Sequence, residues 1–488
     1  EIVAHFPVYR TYVDERGASA QDRRYIDWAI ARARSRDRAS EARIYDFLHA
    51  LIIGAAPAHL PQDRAQAYRV FAMRFQQFSA PVAAKGVEDT AFYGFNRLVS
   101  LNEVGGDPDQ FGMTVRAFHG ASADRARVWP HTMLATSTHD NKRSEDVRAR
   151  IDVISELPAA WRALVRRWSR MHRTRKREVD GQEAPSRNDE YLLYQTLVGT
   201  FPPGELDQAA LDRYRARIEQ YMIKAVREAK VHTSWLVANA AYEDALTAFV
   251  GQLMRTAPAN PFLEELRTQC APFAWYGMLN SLSMTLLKLA SPGVPDIYQG
   301  TEMLEWSLVD PDNRRPVDYA ARRAALAAVT ATAALHDAAP ASLASPYDGR
   351  AKLSIVARAL GLRREHSQVF ADGDYRRLDA GGVRAAHVVA FARTTAEEGV
   401  VAIAGRLFAS LVAVGAWPIG DAWGDTVVDL GPLPSGSRVT NVLTGETFVL
   451  DTPVLPLARA LAAFPGALLH YSSRAGGRGR DEPRANRA

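Results

Sequence analysis

Apolar residues recur at helical spacing through the first eighty positions. Ile44, Phe47, Leu48, Leu51 and Ile52 follow an i, i+3, i+4, i+7, i+8 stripe, with Ser40 placed to cap it and Gly54 and Pro57 placed to end it. A second stripe of Val70, Phe71, Phe75 and Phe78 leads to a break at Pro81 and is expected to be core. The opening Glu1–Val13 reads as strand. Residues 81–118 are polar, Gly-rich and without period, which predicts a long functional loop. A short β-rich lead, Thr132–Thr138, runs into His139 and Asp140, and a polar helix start follows. Residues 144–290 read as helical, with Trp161, Leu164, Val165 and Trp168 on one face and an apolar helix over 275–289 that stops at Ser291, Pro292 and Gly293. Gly293–Tyr298 predicts a second short strand, turning at Gly300. From about residue 350 the period becomes two, as in His387–Phe391, Val400–Ile403 and Thr426–Leu430, and Val439–Val449 predicts a hairpin turning near Thr444 and Gly445. Breakers at Pro340, Pro346 and Gly349 mark a boundary before this β region.

The expected organisation is therefore an α/β chain. Residues 1–340 would hold (β/α)8-barrel strands with helical insertions at about 14–80 and 150–270. Residues 350–473 would form a small antiparallel β-sandwich, and 474–488 a disordered tail. The 488 residues are enough for several domains, and 47% hydrophobic with 24% charged content is ordinary for a packed globular protein. A net charge of +5 over this length is mild. The basic run at Arg166, Arg167 and Arg173–Arg177 comes without base-stacking partners, so a solvated helix face is expected and no nucleic-acid partner. No apolar run reaches the roughly 18 residues of a membrane span, so no membrane partner is expected. Cys270 is the sole cysteine, which excludes an internal disulfide and a Cys-based zinc site and fits a reducing, cytoplasmic compartment. No spacing suggests a metal-ligand cluster or an oxygen-rich calcium loop, so no cofactor is expected. The chain begins without Met and directly in an apolar element, which suggests a piece of a longer protein.

The chemistry concentrates in two constellations. A strand ending on His139 and Asp140 puts an imidazole and a carboxylate at its C-terminal end, the catalytic side of a (β/α)8 barrel. Such a carboxylate can stabilise positive charge at an anomeric carbon, and the imidazole can hold sugar hydroxyls. Asp296 and Tyr298 follow the second short strand. The loop Ser307–Asp318 is dense in Asp and Arg, suited to clamping a loop beside a pocket.

Six segments together resemble the maltooligosyl trehalose synthases, a branch of the α-amylase superfamily (glycoside hydrolase family 13-like). They are Phe6–Tyr12, Pro81–Tyr93 with its Lys85-Gly-Val-Glu-Asp-Thr90, Leu101–Pro108, Ser137–Arg150, Lys230–Trp235 and Pro292–Asp318. The resemblance implies an intramolecular transglycosylation: the reducing-end α-1,4 bond of a maltooligosaccharide, or of a glycogen-derived glucan, is re-formed as α,α-1,1. By position, it makes Asp140 the transition-state-stabilising carboxylate and His139 the hydroxyl-binding neighbour. It also makes Lys142, Arg143, Lys85, Glu88, Asp89, Asp296 and Tyr298 substrate-binding. Two positions depart from the family's habit: Ala83-Ala84 stands for a pair containing Met, and Asn141 for Thr.

Retaining α-glucoside chemistry also needs a nucleophile and a general acid about 5 to 5.5 Å apart. No Arg-x-Asp strand with a following Glu stands upstream of His139. The resemblance therefore implies a C-terminal portion, inactive alone. An α-amylase-type hydrolase, or an inactive carbohydrate-binding fragment, fits the same residues.

Overall fold

The computed structural model describes the chain apart from residues 38–40, 257–259, 331–334, 432, 434–435 and 473–488. Its helices are α1 (Ala20–Arg36), α2 (Ala42–Ile52), α3 (Gln62–Ala83), α4 (Phe92–Gly94), α5 (Val115–Val128), α6 (Glu145–Asp152), α7 (Pro158–His172), α8 (Arg187–Thr200), α9 (Gln208–Ala229), α10 (Ala240–Leu253), α11 (Pro261–Ala290), α12 (Tyr319–Thr330), α13 (Leu335–Leu343), α14 (Arg350–Glu365), α15 (Ser367–Asp372) and α16 (Leu457–Ala460). Its strands are β1 (Met133–Leu134), β2 (Arg177–Val179), β3 (Gln182–Ala184), β4 (Val294–Pro295), β5 (Asp374–Leu378), β6 (Ala380–Gly381), β7 (Val388–Thr394), β8 (Glu398–Gly405), β9 (Val427–Asp429), β10 (Ser437–Asn441), β11 (Thr447–Leu450), β12 (Val454–Pro456) and β13 (Gly466–Ser472). The chain divides into two compact units, one of Glu1–Asn96 and Ile223–Glu243, the other of Arg97–Met222 and Asp244–Ala488.

In the first unit α1 starts at a reciprocal cap. The Ser19 hydroxyl accepts from the Asp22 N–H, and the Asp22 carboxylate accepts from the Ser19 N–H. Ile26, Ile30, Tyr45, Ile52, Ile53 and Ala72 close the core around Val13. The expected N-terminal strand is absent. Val3–His5 is a short 3₁₀ turn, and the Val13 N–H and C=O both bond the Gln76 side-chain amide, at 2.6 and 3.1 Å. A side chain there does the work of a neighbouring strand.

Of the stripe on α3 only Phe75 packs against the core. Phe71 and Phe78 are exposed, and the helix turns Ala72, Gln76 and Ser79 inward, because Gln76 and Ser79 bond the backbone of Val13 and Tyr9. On α2, Ile44 and Phe47 are likewise exposed, while Tyr45 and Ile52 are buried. The residue before α2 is Glu41, and the expected cap Ser40 lies outside the described residues. The helix does not break at Pro81. It runs on to Ala83 and widens into a π-helix over Ala84–Ala91, where a loop was expected.

In the second unit β1 and β4 form a parallel pair, Met133 opposite Val294 and Leu134 opposite Pro295. Both are shorter than the sequence predicts, and no other parallel pair occurs among the described residues. Helix α6 follows β1 and is pinched between two others. A Cβ on Gly277 of α11 would stand 2.5 Å from Arg150 Cγ, and one on Gly199 of α8 would stand 2.9 Å from Ile151 and Val147 side chains. Only glycine admits so close an approach. A hairpin β2–β3, turning at Asp180 and Gly181 with φ of 52° and 74°, interrupts the expected helical stretch.

The β region is two antiparallel sheets, one in the order β11-β10-β13-β8-β7-β5 and one in the order β12-β9-β6. The expected hairpin is β10–β11, with Gly445 at φ 78°. Strand structure starts at Asp374 rather than near 350. Helix α13 runs through Pro340, and α14 and α15 occupy 350–372. The predicted disordered tail, from Arg474, lies outside the described residues.

The basic run is largely solvated, with Arg166, Arg167, Arg173 and Arg177 exposed, while the Lys176 side chain turns inward. Lys176 is buried against Glu190 at 2.8 Å, Arg167 meets Glu265 at 2.7 Å, and Arg166, Arg170 and Arg173 line a groove of about 870 Å³. No described helix is long and apolar enough to cross a membrane.

Candidate active site

The β1–β4 ladder fixes the site of the second unit. Parallel neighbours end on the same side, so the segments after Leu134 and Pro295 emerge together. The ladder closes with the Asp296 N–H donating to the Leu134 carbonyl at 2.9 Å. His139 and Asp140 follow β1 and are exposed, and Asp296 and Tyr298 follow β4 half-buried. Asn313 joins the two segments: its Nδ2 donates to the His139 carbonyl at 2.9 Å, while its backbone carbonyl accepts from the Tyr298 hydroxyl at 3.2 Å. Within the turn the Asp140 N–H donates to Thr138 Oγ1 at 3.3 Å, and the Asn141 side chain accepts from the Thr138 N–H.

The next residues face inward. Glu103 accepts from the backbone N–H of Lys142 at 2.9 Å, of Arg143 at 3.3 Å and of Val104 at 2.9 Å. One carboxylate thus fixes the turn that precedes α6. Arg143, expected at the sugar, is 1% exposed. Its guanidinium donates to the Val99 carbonyl at 3.1 Å and to the Tyr221 hydroxyl at 2.8 Å, which makes it a brace for the turn. Lys142 is also buried. The loop Ser307–Asp318 lies against this turn. The Ser144 N–H donates to the Ser307 carbonyl at 3.0 Å, and Arg143 bridges Leu308. Asp312 is clamped by Arg217 of α9, at 2.9 and 2.8 Å, and by Arg315. Burial pushes the Asp312 carboxyl up, but the Arg217 guanidinium outweighs it and holds the group low.

Under the turn sits a charged cluster that the sequence did not single out. Lys352 Nζ, fully buried, donates to Glu145 at 2.7 Å and to both Asp146 oxygens at 3.0 Å. Lys288 Nζ donates to Thr136 Oγ1 at 2.7 Å and to the Asp296 carbonyl at 3.0 Å, and stands 3.7 Å from Glu145. It therefore links the ends of β1 and β4 directly. Asp146 further accepts from the Glu305 N–H at 2.7 Å. Burial pushes the Glu145 carboxyl up, yet Lys352 and Lys288 outweigh it and hold it down to about 2. The Lys352 ammonium is held charged, since the two carboxylates outweigh its burial. Burial acts the other way on the remaining two: it raises the Asp146 carboxyl, with the Glu145 charge adding to it, and lowers the Lys288 ammonium.

Three further expected residues, Lys85, Glu88 and Asp89, belong to the first unit and lie on the π-helix, a feature often found at functional positions. The i+5 spacing is closed by Thr90, whose hydroxyl donates to the Lys85 carbonyl at 2.8 Å. Lys85 Nζ pairs with Asp89 at 2.6 Å on the surface. Glu88 is buried and accepts from the Tyr9 hydroxyl. Lys230 Nζ donates to Thr90 Oγ1 at 2.9 Å, and in the same segment Thr233 donates to Glu243 at 2.7 Å and His232 stacks on Tyr242. The six motif segments thus sort by unit. Phe6–Tyr12, Pro81–Tyr93 and Lys230–Trp235 meet in the first, and Leu101–Pro108, Ser137–Arg150 and Pro292–Asp318 meet in the second.

No family model matches the chain. Two curated relatives from two strains of Mycobacterium tuberculosis, provisionally named maltooligosyl trehalose synthase, are 39% identical over 389 residues, covering 79% of this chain and 44% of each relative. The solved maltooligosyltrehalose synthase of Arthrobacter ramosus aligns with a TM-score of 0.77 and 35% identity, over 96% of this chain and 53% of that one. A hypothetical maltooligosyl trehalose synthase of Sulfolobus tokodaii aligns with a TM-score of 0.67 and 28% identity, over the same shares. The chain spans about half the length of the relatives it matches. Over nearly all of its own length, then, it is similar to part of the maltooligosyl trehalose synthases, the family its motifs point to.

Proposed function

We propose that this chain is the C-terminal part of a maltooligosyl trehalose synthase, carrying later strands of its (β/α)8 barrel and its C-terminal β domain. The whole enzyme would be an intramolecular transferase of the α-amylase type. It breaks the α-1,4 bond between the anomeric carbon of the penultimate glucose and O4 of the reducing-end glucose. It then joins that anomeric carbon to the O1 hydroxyl of the same released glucose, so mass is unchanged and a reducing end disappears. The observation that carries this reading is the parallel β1–β4 pair. It presents His139 and Asp140 beside Asp296 and Tyr298 at one strand end, locked by Asn313 and Lys288. Exposed at that end, Asp140 stabilises the oxocarbenium-like transition state and His139 donates to ring hydroxyls. Asp296 and Tyr298 complete the sugar contacts, with the buried Lys142 and Arg143 as positioning residues. Lys85, Glu88 and Asp89 serve substrate binding from the π-helix.

In this reading the nucleophile and the general acid belong to the portion of the relatives that the chain does not span. Glu103 is a poor substitute, because its oxygens already accept from three backbone N–H groups. The substrate is a maltooligosaccharide or glycogen-derived glucan, handled in the cytoplasm without a cofactor.

The test follows reducing ends and product mass with maltopentaose. The chain alone is expected to leave both unchanged. Joined to the portion its relatives carry beyond it, it is expected to remove reducing ends at constant mass, and Asp140→Asn should cut that rate by about a hundredfold or more. A gain of reducing ends would replace the synthase with a hydrolase. Full activity of Asp140→Asn would remove Asp140 from the mechanism.

A further inference from the structure

In the β region three side chains from three elements converge on one point. His366 is the joint between α14 and α15, with its N–H on the Leu362 carbonyl and its own carbonyl accepting from Val369. Glu398 opens β8, and His470 lies on β13. Glu398 pairs with Ser472 across the β8–β13 ladder, so His470, two residues before Ser472, projects from the same face. A turn in which the Thr395 N–H donates to the Glu398 carbonyl at 2.9 Å fixes the carboxylate's backbone. Oε2 of Glu398 then stands 2.6 Å from His366 Nδ1 and 3.0 Å from His470 Nε2, and the two imidazole centroids are 3.9 Å apart. One potential donor atom from each residue lies within 4.8 Å of the others.

We propose that His366, Glu398 and His470 form a binding site for a divalent transition metal of the zinc class. Two imidazole nitrogens and one carboxylate oxygen are the donor set that suits Zn²⁺, Co²⁺ or Ni²⁺ and disfavours Mg²⁺ and Ca²⁺, which take oxygen. Around a tetrahedral ion with bonds of about 2.1 Å, donors lie about 3.4 Å apart. The Glu398 oxygen stands closer than that to both nitrogens, so seating an ion draws the carboxylate back from the two imidazoles. All three side chains keep a fifth to a quarter of their surface exposed, which leaves an approach from solvent and room for a water as fourth ligand. The ion would tie the end of α14 to β8 and β13, the centre of the six-stranded sheet, so binding should stabilise the folded chain.

The test titrates tag-free, chelator-treated chain with Zn²⁺, and with Co²⁺ for its visible ligand-field absorption. One ion per chain is expected, with a raised unfolding temperature. His366→Gln, Glu398→Gln and His470→Gln should each weaken binding at least about tenfold. His470→Cys, which restores a ligand, should keep it, and the exposed control His131→Gln should not change it. Circular dichroism without metal checks that each variant folds. Should one fail, carbethoxylation of the parent chain decides: Zn²⁺ should protect His366 and His470 together. The proposal falls if neither ion binds saturably, if the Gln variants bind as the parent does, or if protection maps to other histidines.

Discussion

Removing the Lys352 ammonium should unseat α6, and the effect should shrink as the solution is acidified. Lys352→Met keeps the length of the side chain and deletes a cation that holds Glu145 at 2.7 Å and Asp146 at 3.0 Å, with all three residues at most 2% exposed. Lys288, 3.7 Å from Glu145, cannot neutralise both carboxylates. Breaking one side of a buried ion pair costs about 3–5 kcal/mol. The carboxyl's own ionisation gives a second measure. Glu145 falls from an ordinary 4.5 to about 2 on folding, and at about 1.4 kcal/mol for each pH unit this is about 3 kcal/mol. In the parent chain that contribution is present above about pH 4.5 and is lost as the pH falls towards 2. In the variant the sign reverses. Without Lys352, burial dominates and raises the folded-state value above the unfolded one, so stability is lost as the pH rises. The gap between parent and variant should therefore be widest at neutral pH, narrow as the pH falls, and close only towards pH 2. Hydrogen exchange of the α6 amides is the assay, because a chain of two compact units need not unfold in one step. About 3 kcal/mol corresponds to roughly 150-fold faster exchange at pH 7. Less than fivefold, or a difference that does not change with pH, would refute the reasoning.

Four other outcomes are expected. Glu103→Gln keeps the shape but loses the charge that accepts from the N–H groups of Lys142, Arg143 and Val104. It should cost about 2 kcal/mol, with faster exchange confined to the turn before α6. Gly277→Ala should cost about 3 kcal/mol in denaturant unfolding, because the new methyl meets Arg150 Cα at 2.7 Å and backbone cannot give way; a neutral result would deny the close approach of α11 to α6. Asn313→Ala should lower the activity of the whole enzyme while leaving unfolding within about 1 kcal/mol of the parent, since it removes one part-exposed link to His139. His172 is held neutral by burial, with Arg175 adding to it, and its value is lowered to about 3. Its NMR signal should stay constant from pH 8 to pH 4, and a titration near 6.5 would contradict that burial.

The β region was legible because short β-branched apolar runs mark β7 and β8, which are buried on both faces, and alternation survives in β11 of the β10–β11 hairpin. The His139–Asp140 turn was legible from its place after an apolar lead. Asp180-Gly181 is a readable hairpin signal inside an otherwise helical stretch. The stripe on α3 misled. Periodicity says which residues share a face, but not which face meets the core, and in α3 the hydrogen bonds of Gln76 and Ser79 to the 9–13 segment decide it. Pro81 and the glycines near it suggested a loop, whereas the widened π turn accommodates Lys85–Thr90 within a helix.

What the sequence determined by itself was local: helix stripes, strand alternation, the order of the motif segments and the family they resemble. Tertiary structure alone decided which segments meet. The β1–β4 pair joins residues 133 and 294, Lys352 reaches Glu145 from 207 positions away, and His366, Glu398 and His470 assemble across gaps of 32 and 72. Local spacing reports on neighbours within a turn or a strand. Burial of charge and convergence of ligands depend on chain closure over long loops, and the sequence pattern does not encode that distance.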